Sequence, residues 1–165
     1  MRMAVSLAVI LTLSLGAASG RAQGLLSGKP TAQQASVAAQ ASAATVAPGA
    51  SVTLWADVTP HPSMHVYAEG AVEFTPVAVK LTPHASVSFG KASYPKPALV
   101  AVPGTAEKVP AYSQPFRIAV PVTVKPTAKS GETLTLGGAV NYQACDDRLC
   151  YPVAVAPVLW TLAVK

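Results

Sequence analysis

The chain has 165 residues, 51% hydrophobic and 12% charged, with a formal net charge of +5. So little charge on so apolar a chain argues for a packed domain instead of a disordered one. Lys and Arg are scattered singly, so no basic stripe exists and nucleic acid is not expected as a partner.

The chain opens MRMAVSLAVILTLSLGAASGRAQG, with Arg2 ahead of an apolar run from Ala4 to Leu15 and small residues behind it. That is the layout of a secretory signal peptide cleaved near Ala22–Gln23. The run is well short of the roughly 20 residues that span a bilayer, and no second long apolar run follows. Residues 1–22 are therefore expected to be removed, leaving an exported chain with no membrane insertion. It would reside outside the cytoplasm, in a compartment where disulfides persist. About 140 residues remain, enough for one domain with its own core. Residues 23–35 read as a flexible N-terminal segment, and 36–165 as the folded domain.

Beyond Ser36 the pattern has a period of two. Val52, Leu54, Ala56 and Val58 share a face in SVTLWADV. In PFRIAVPVTVK, Phe116, Ile118, Val120, Val122 and Val124 alternate with Arg117, Thr123 and Lys125. Leu134, Leu136, Val140 and Tyr142 alternate in the same way, as do Val158, Trp160, Leu162 and Val164. A strand with one buried face requires such alternation. The 15 prolines and turn signals such as APGA, TPHPS and KPTAKSGE rule out long helices. Short strands, polar turns and this length predict an all-β domain, an immunoglobulin-like β-sandwich, with a closed barrel as the alternative. The segment from Ser93 to Gln114, SYPKPALVAVPGTAEKVPAYSQ, fits no strand well. It reads either as a functional loop or as a surface excursion with a short edge strand around Leu99 to Val102.

Both cysteines fall in NYQACDDRLCYP, with four residues between Cys145 and Cys150. If flanking strands pair there, DDRL forms a hairpin loop and the cysteines lie opposite each other, near disulfide distance. So small a loop yields only about 2 kcal/mol of stabilisation, little for a structural staple. A hairpin tip would also expose the sulfurs for thiol exchange. Asp146 and Asp147 should raise a neighbouring thiol pKa, and Arg148 should lower it. A redox dithiol, a static disulfide and half of a metal site all remain open on this chemistry. For the metal reading, HPSMH offers His61, Met64 and His65, a set that with the cysteines would suit zinc or copper. Pro62 makes a loop the expectation there, and each histidine, His84 included, reads as a turn or solvent-facing residue. Adjacent Asp146 and Asp147 do not flank a substrate, and no hydrolytic grouping or phosphate loop is present.

YQACDDRLCYP resembles the Tyr-Gln-x-Cys…Cys-x-Pro signature of the amino-terminal periplasmic domain of the thiol:disulfide interchange protein DsbD. The resemblance extends to PSMHVYAEG, SYPKPA and VPAYSQPFRIAVPVTV, and so spans roughly Ser51 to Lys165. It implies an immunoglobulin-like fold and a thiol–disulfide oxidoreductase component whose dithiol carries electrons without a cofactor. Its implied partners are thioredoxin-fold proteins, of the periplasmic disulfide isomerase or cytochrome c maturation type, with a separate membrane electron transporter as the source of reductant. Cys150 matches the cysteine that forms mixed disulfides, and Cys145 its resolving partner. A loop that covers the pair in the family corresponds to the segment around Tyr94, on to Tyr112. The best-known members have five residues between the cysteines, where this chain has four. The rival expectations are a structural or adaptor immunoglobulin-like module with an inert disulfide, and a copper-binding periplasmic protein.

Overall fold

The computed structural model describes residues 33–165 apart from Pro103. The expected leader, residues 1–22, and most of the expected flexible segment lie outside the described residues. At the end of that segment Gln34 and Ala35 are buried, and Ala35 already opens the first strand. The buried Tyr142 hydroxyl donates to the Ala35 carbonyl and accepts from its amide, both at 3.1 Å. Pairing of these two backbone groups holds the start of the first strand one residue before Ser36.

The described residues form three four-stranded sheets and no helix. The first contains, in spatial order, β1 (Ala35–Ala41), β3 (Ser51–Pro60), β9 (Phe116–Val124) and β6 (Val87–Phe89). The second contains β2 (Thr45–Val46), β12 (Ala154–Val164), β10 (Thr133–Tyr142) and β5 (Ala78–Leu81). Every pairing is antiparallel except β2 with β12 in this sheet. The long strands bury alternate residues, as their period-two sequences require. Register sets Leu54 opposite Val120 and Ala56 opposite Ile118 in the first sheet, and Leu136 opposite Trp160 in the second. These inner faces share one core, the arrangement of an immunoglobulin-like β-sandwich. The Trp160 indole N–H donates to the Trp55 carbonyl at 2.9 Å, tying the two sheets. Gly138 lets β5 lie close against β10, because a Cβ there would sit 2.7 Å from the Lys80 carbonyl oxygen.

The third sheet lies at one end and carries the cysteines. Its order is β11 (Ala144–Cys145), β4 (His65–Tyr67), β8 (Lys108–Tyr112) and β7 (Ala98–Ala101). After one residue outside the strands, Gln143, the chain passes from β10 into β11 and so from the second sheet to the third. The segment Ser93–Gln114 becomes the β7–β8 hairpin, with β7 at the sheet edge one residue ahead of the expected Leu99–Val102. Alternation divides the sheet into two faces. Ala144, Val66 and Tyr112 join the main core, while Cys145, Tyr67 and Ala111 belong to a second cluster on the other side.

Candidate functional site

Cys145 and Cys150 form a disulfide across the hairpin tip, with Cα atoms 4.0 Å apart. They face each other in an antiparallel bridge, flanked by hydrogen bonds from Asp146 N to Leu149 O and from Tyr151 N to Ala144 O. The loop is built by Asp146. Its Oδ1 accepts from the Arg148 and Leu149 amides at 2.8 and 2.7 Å, and its Oδ2 accepts from the Tyr151 hydroxyl at 2.9 Å. Those bonds favour the charged carboxylate and hold Asp146 below its ordinary pKa. The sign follows: a depressed folded pKa gives stabilisation that is present above the ordinary value and lost as pH falls through the folded one. In NMR titration the Arg148 and Leu149 amide resonances should shift with a midpoint below about 3.9, the ordinary aspartate value. The core resonances should stay dispersed. A midpoint at or above that value would contradict this account of the loop.

The two sulfurs are not equivalent. Cys145 is fully buried, whereas Cys150 is half-buried and follows Leu149, which is 56% exposed. Exposure of both sulfurs, the sequence expectation, therefore holds only in part and only for Cys150. The reason is that β11 pairs with β4 instead of projecting beyond the sheet, which presses Cys145 against Tyr67, Ala71 and Ala111. Phe74, Val100 and Val109 pack around this cluster. The Tyr67 hydroxyl donates to Cys145 Sγ at 2.9 Å and lies 3.6 Å from Cys150 Sγ. Burial raises the Tyr67 pKa, so this phenol stays a donor throughout the physiological range. Its ring stacks on Phe74 at 4.0 Å, which fixes the hydroxyl over the sulfurs. Gln143 then clips the Phe74 loop to the tip: its Oε1 accepts from the Thr75 amide at 2.9 Å, and its Nε2 donates to the Tyr151 carbonyl at 3.3 Å.

A buried disulfide sulfur under a fixed O–H donor, beside a second sulfur open to one side, is an arrangement for cleaving the bond from that side. The open sulfur can be attacked, and the buried one can leave as a thiolate onto a waiting donor. The family comparison points to thiol–disulfide exchange in general. The model for "Thiol:disulfide interchange protein DsbD, N-terminal" matches residues 32–159.

The chain belongs to this family.

Its members are thiol–disulfide exchange domains, and the cysteine pair found here is the disulfide such exchange requires. Among solved structures the chain is similar to the DsbD N-terminal domain of Neisseria meningitidis in its reduced form, at 16% identity. That match covers 77% of this chain and 83% of the other, with a TM-score of 0.48. It is also similar to the N-terminal periplasmic domain of ScsB from Proteus mirabilis, at 16% identity and a TM-score of 0.51. There the match covers 79% of this chain and 47% of the other, so the chain spans about half of that structure. The ScsB likeness is one of fold. No curated protein matches the chain in sequence.

The other residues singled out from the sequence divide. Tyr94 and Tyr112 stand together, but along a cleft of about 680 Å³ away from the sulfurs. Tyr112 lies on the core face of the third sheet, stacked on Phe116, and its hydroxyl donates to the Pro95 carbonyl at 2.7 Å. The Tyr94 hydroxyl accepts from the Val79 amide at 3.2 Å. The segment expected to cover the disulfide does supply neighbours, but they are Val100, Val109 and Ala111. The aromatic residues over it, Tyr67 and Phe74, come from β4 and the loop behind it.

Among the metal candidates, His61 is exposed and Met64 half-buried in the turn after β3. His65 corrects its expectation, for it is a buried strand residue instead of a turn or solvent-facing one. The turn set off by Pro62 closes within His61–Met64, through a 2.9 Å bond from Met64 N to His61 O, so the chain is extended again by His65. His84 does sit in a turn, its Nδ1 accepting from the Ser86 amide. Among the described residues no three His, Cys, Asp or Glu side chains group as a metal site.

Proposed function

We propose that the protein is an exported carrier of reducing equivalents, exchanging its Cys145–Cys150 disulfide with thioredoxin-fold proteins. In this reading residues 1–22 are the cleaved leader, and the domain works in the periplasm. The ScsB likeness, to a domain described as periplasmic, supports the compartment. Among the described residues no helix is long and apolar enough to cross a membrane. Partners of the disulfide isomerase and cytochrome c maturation type, with a separate membrane transporter supplying electrons, fit the family.

The asymmetry of the pair carries the assignment of roles. Cys150, half-buried beside exposed Leu149, meets the partner and forms the mixed disulfide. Cys145, buried beneath the Tyr67 hydroxyl, leaves as the bond breaks and returns to resolve it.

Equilibration with glutathione or dithiothreitol buffers tests the reading. Structural disulfides typically lie below about −300 mV, and labile ones above. The expected result is a potential above that mark, with rapid reduction of the folded domain. A lower potential, with slow reduction, would make the pair an inert staple.

A further inference from the structure

His65 is a buried titratable side chain that the scheme above leaves unused. It pairs directly with Cys145 across the β4–β11 ladder. Residues so paired project from the same face, with Cβ atoms about 4.5–5.5 Å apart. Its ring meets the Tyr67 ring edge-on at 5.7 Å, which places it beside the phenol that holds Cys145 Sγ. His65 is only 6% exposed, and its Nε2 is buried with no hydrogen-bond partner among the described residues. A buried polar nitrogen left unpaired is costly and calls for a reason. On its other side His65 lines a polar cavity of about 350 Å³ with Met64, Val100, Ser113, Gln114 and Asp147, open towards solvent.

We propose that His65 is the base that takes the proton from the Cys145 thiol when Cys145 resolves a mixed disulfide on Cys150. The inference rests on the exchange reading and deepens it. Consider the reduced domain after Cys150 has attacked a partner disulfide, leaving Cys150 joined to the partner sulfur. The Cys145 S–H proton passes to the His65 imidazole, and the sulfur electron pair forms the Cys145–Cys150 bond. The bond from Cys150 to the partner breaks, and the partner sulfur leaves as a thiolate with that electron pair. The domain is thereby oxidised by two electrons and the partner reduced. The imidazolium then gives up its proton to solvent through the cavity.

The groups facing His65 fit this task. Asp147 shares the cavity, Tyr67 stands two residues along the same strand and Asp146 in the hairpin loop after β11, while the β7–β8 side offers the uncharged Val100, Ser113 and Gln114. Desolvation lowers the His65 pKa, and Asp147 and Asp146 partly oppose it, which leaves the imidazole neutral and ready to accept at neutral pH. An unaided cysteine, with a pKa of about 8.5, is mostly protonated there and a weak nucleophile.

The probe is dithiobis(nitrobenzoate) with the reduced domain. Attack by Cys150 releases one thionitrobenzoate, and intramolecular attack by Cys145 releases a second in a phase independent of reagent concentration. In the unmutated domain this second phase should stay fast down to a pH below 6.5, not fall away below about 8.5 as an unaided thiol requires. His65→Gln and His65→Phe should each slow it roughly tenfold at pH 7, with the difference vanishing above about pH 9, where the thiol ionises unaided. The first phase should change less than about twofold. A second phase that tracks ordinary thiol ionisation in the unmutated domain, or that is unchanged at pH 7 in both variants, overturns the proposal. If the unmutated domain releases no second thionitrobenzoate at any pH, the exchange reading fails and this inference fails with it.

Discussion

Mixed with a thioredoxin-fold protein that lacks its own resolving cysteine and is activated as a nitrobenzoate mixed disulfide, the Cys145→Ala variant should accumulate a covalent adduct. Cys150→Ala should trap roughly tenfold less. Thiol–disulfide exchange passes through a mixed disulfide, and only an intramolecular thiol removes that intermediate quickly. Cys145 is the thiol that can do so, because it lies across the bridge from Cys150 and inside the domain. Its removal leaves the adduct without a fast exit. Cys150→Ala leaves a sulfur enclosed by Tyr67, Ala71 and Ala111, where a partner cannot approach without displacing the cluster. Leu149, 56% exposed beside Cys150, offers apolar contact to a docking partner. Non-reducing gels of the two mixtures decide the matter. Stronger trapping by Cys150→Ala would reverse the roles, and no adduct with either variant across several competent partners would count against exchange itself.

The parts of this molecule that were legible in its sequence are those where burial is one-sided. In β3, β9, β10 and β12 each inward residue is followed by an outward one, so the alternation of Leu54 with Thr53 or Trp160 with Thr161 is the sandwich written out. The hairpin register of the cysteines was legible too, since a four-residue loop between extended flanks sets Cys145 against Cys150. The third sheet was not. Strand β4 has three residues, all buried, because one face meets the core and the other meets the disulfide. A strand buried on both faces shows no period of two. Strand β11 is shorter still, and its partners lie 78 and 80 positions away, beyond the reach of any local pattern. Tyr67 and His65 therefore gave no sign of their closeness to Cys145, although both fall within the stretch PSMHVYAEG that carries part of the family resemblance. Phe74 follows a turn, in a loop without periodicity, so its stacking on Tyr67 was equally hidden.

Tyr67→Phe should make the disulfide harder to reduce, lowering its potential by roughly 30–60 mV when measured near pH 8.5. The Tyr67 hydroxyl donates to Cys145 Sγ at 2.9 Å, but a disulfide sulfur is a weak acceptor. Near pH 8.5 the reduced sulfur is substantially ionised, and a hydrogen bond to a charged group contributes about 1.5–3 kcal/mol. The donor thus stabilises the reduced form more than the oxidised one. For a two-electron couple about 1.4 kcal/mol corresponds to 30 mV and a tenfold change in the equilibrium constant. The same donor meets charge developing on the leaving sulfur, so reduction by dithiothreitol should slow by roughly tenfold as well. Phenylalanine keeps the ring that stacks on Phe74 at 4.0 Å and meets His65 edge-on, so the substitution removes the hydroxyl and little else. Phe74→Leu supplies the complement, keeping the hydroxyl while loosening the stack that positions it, and should shift the potential less than its removal does. If Tyr67→Phe leaves both the potential and the rate unchanged, the residue only packs against the disulfide, and the sulfur leaves without its help.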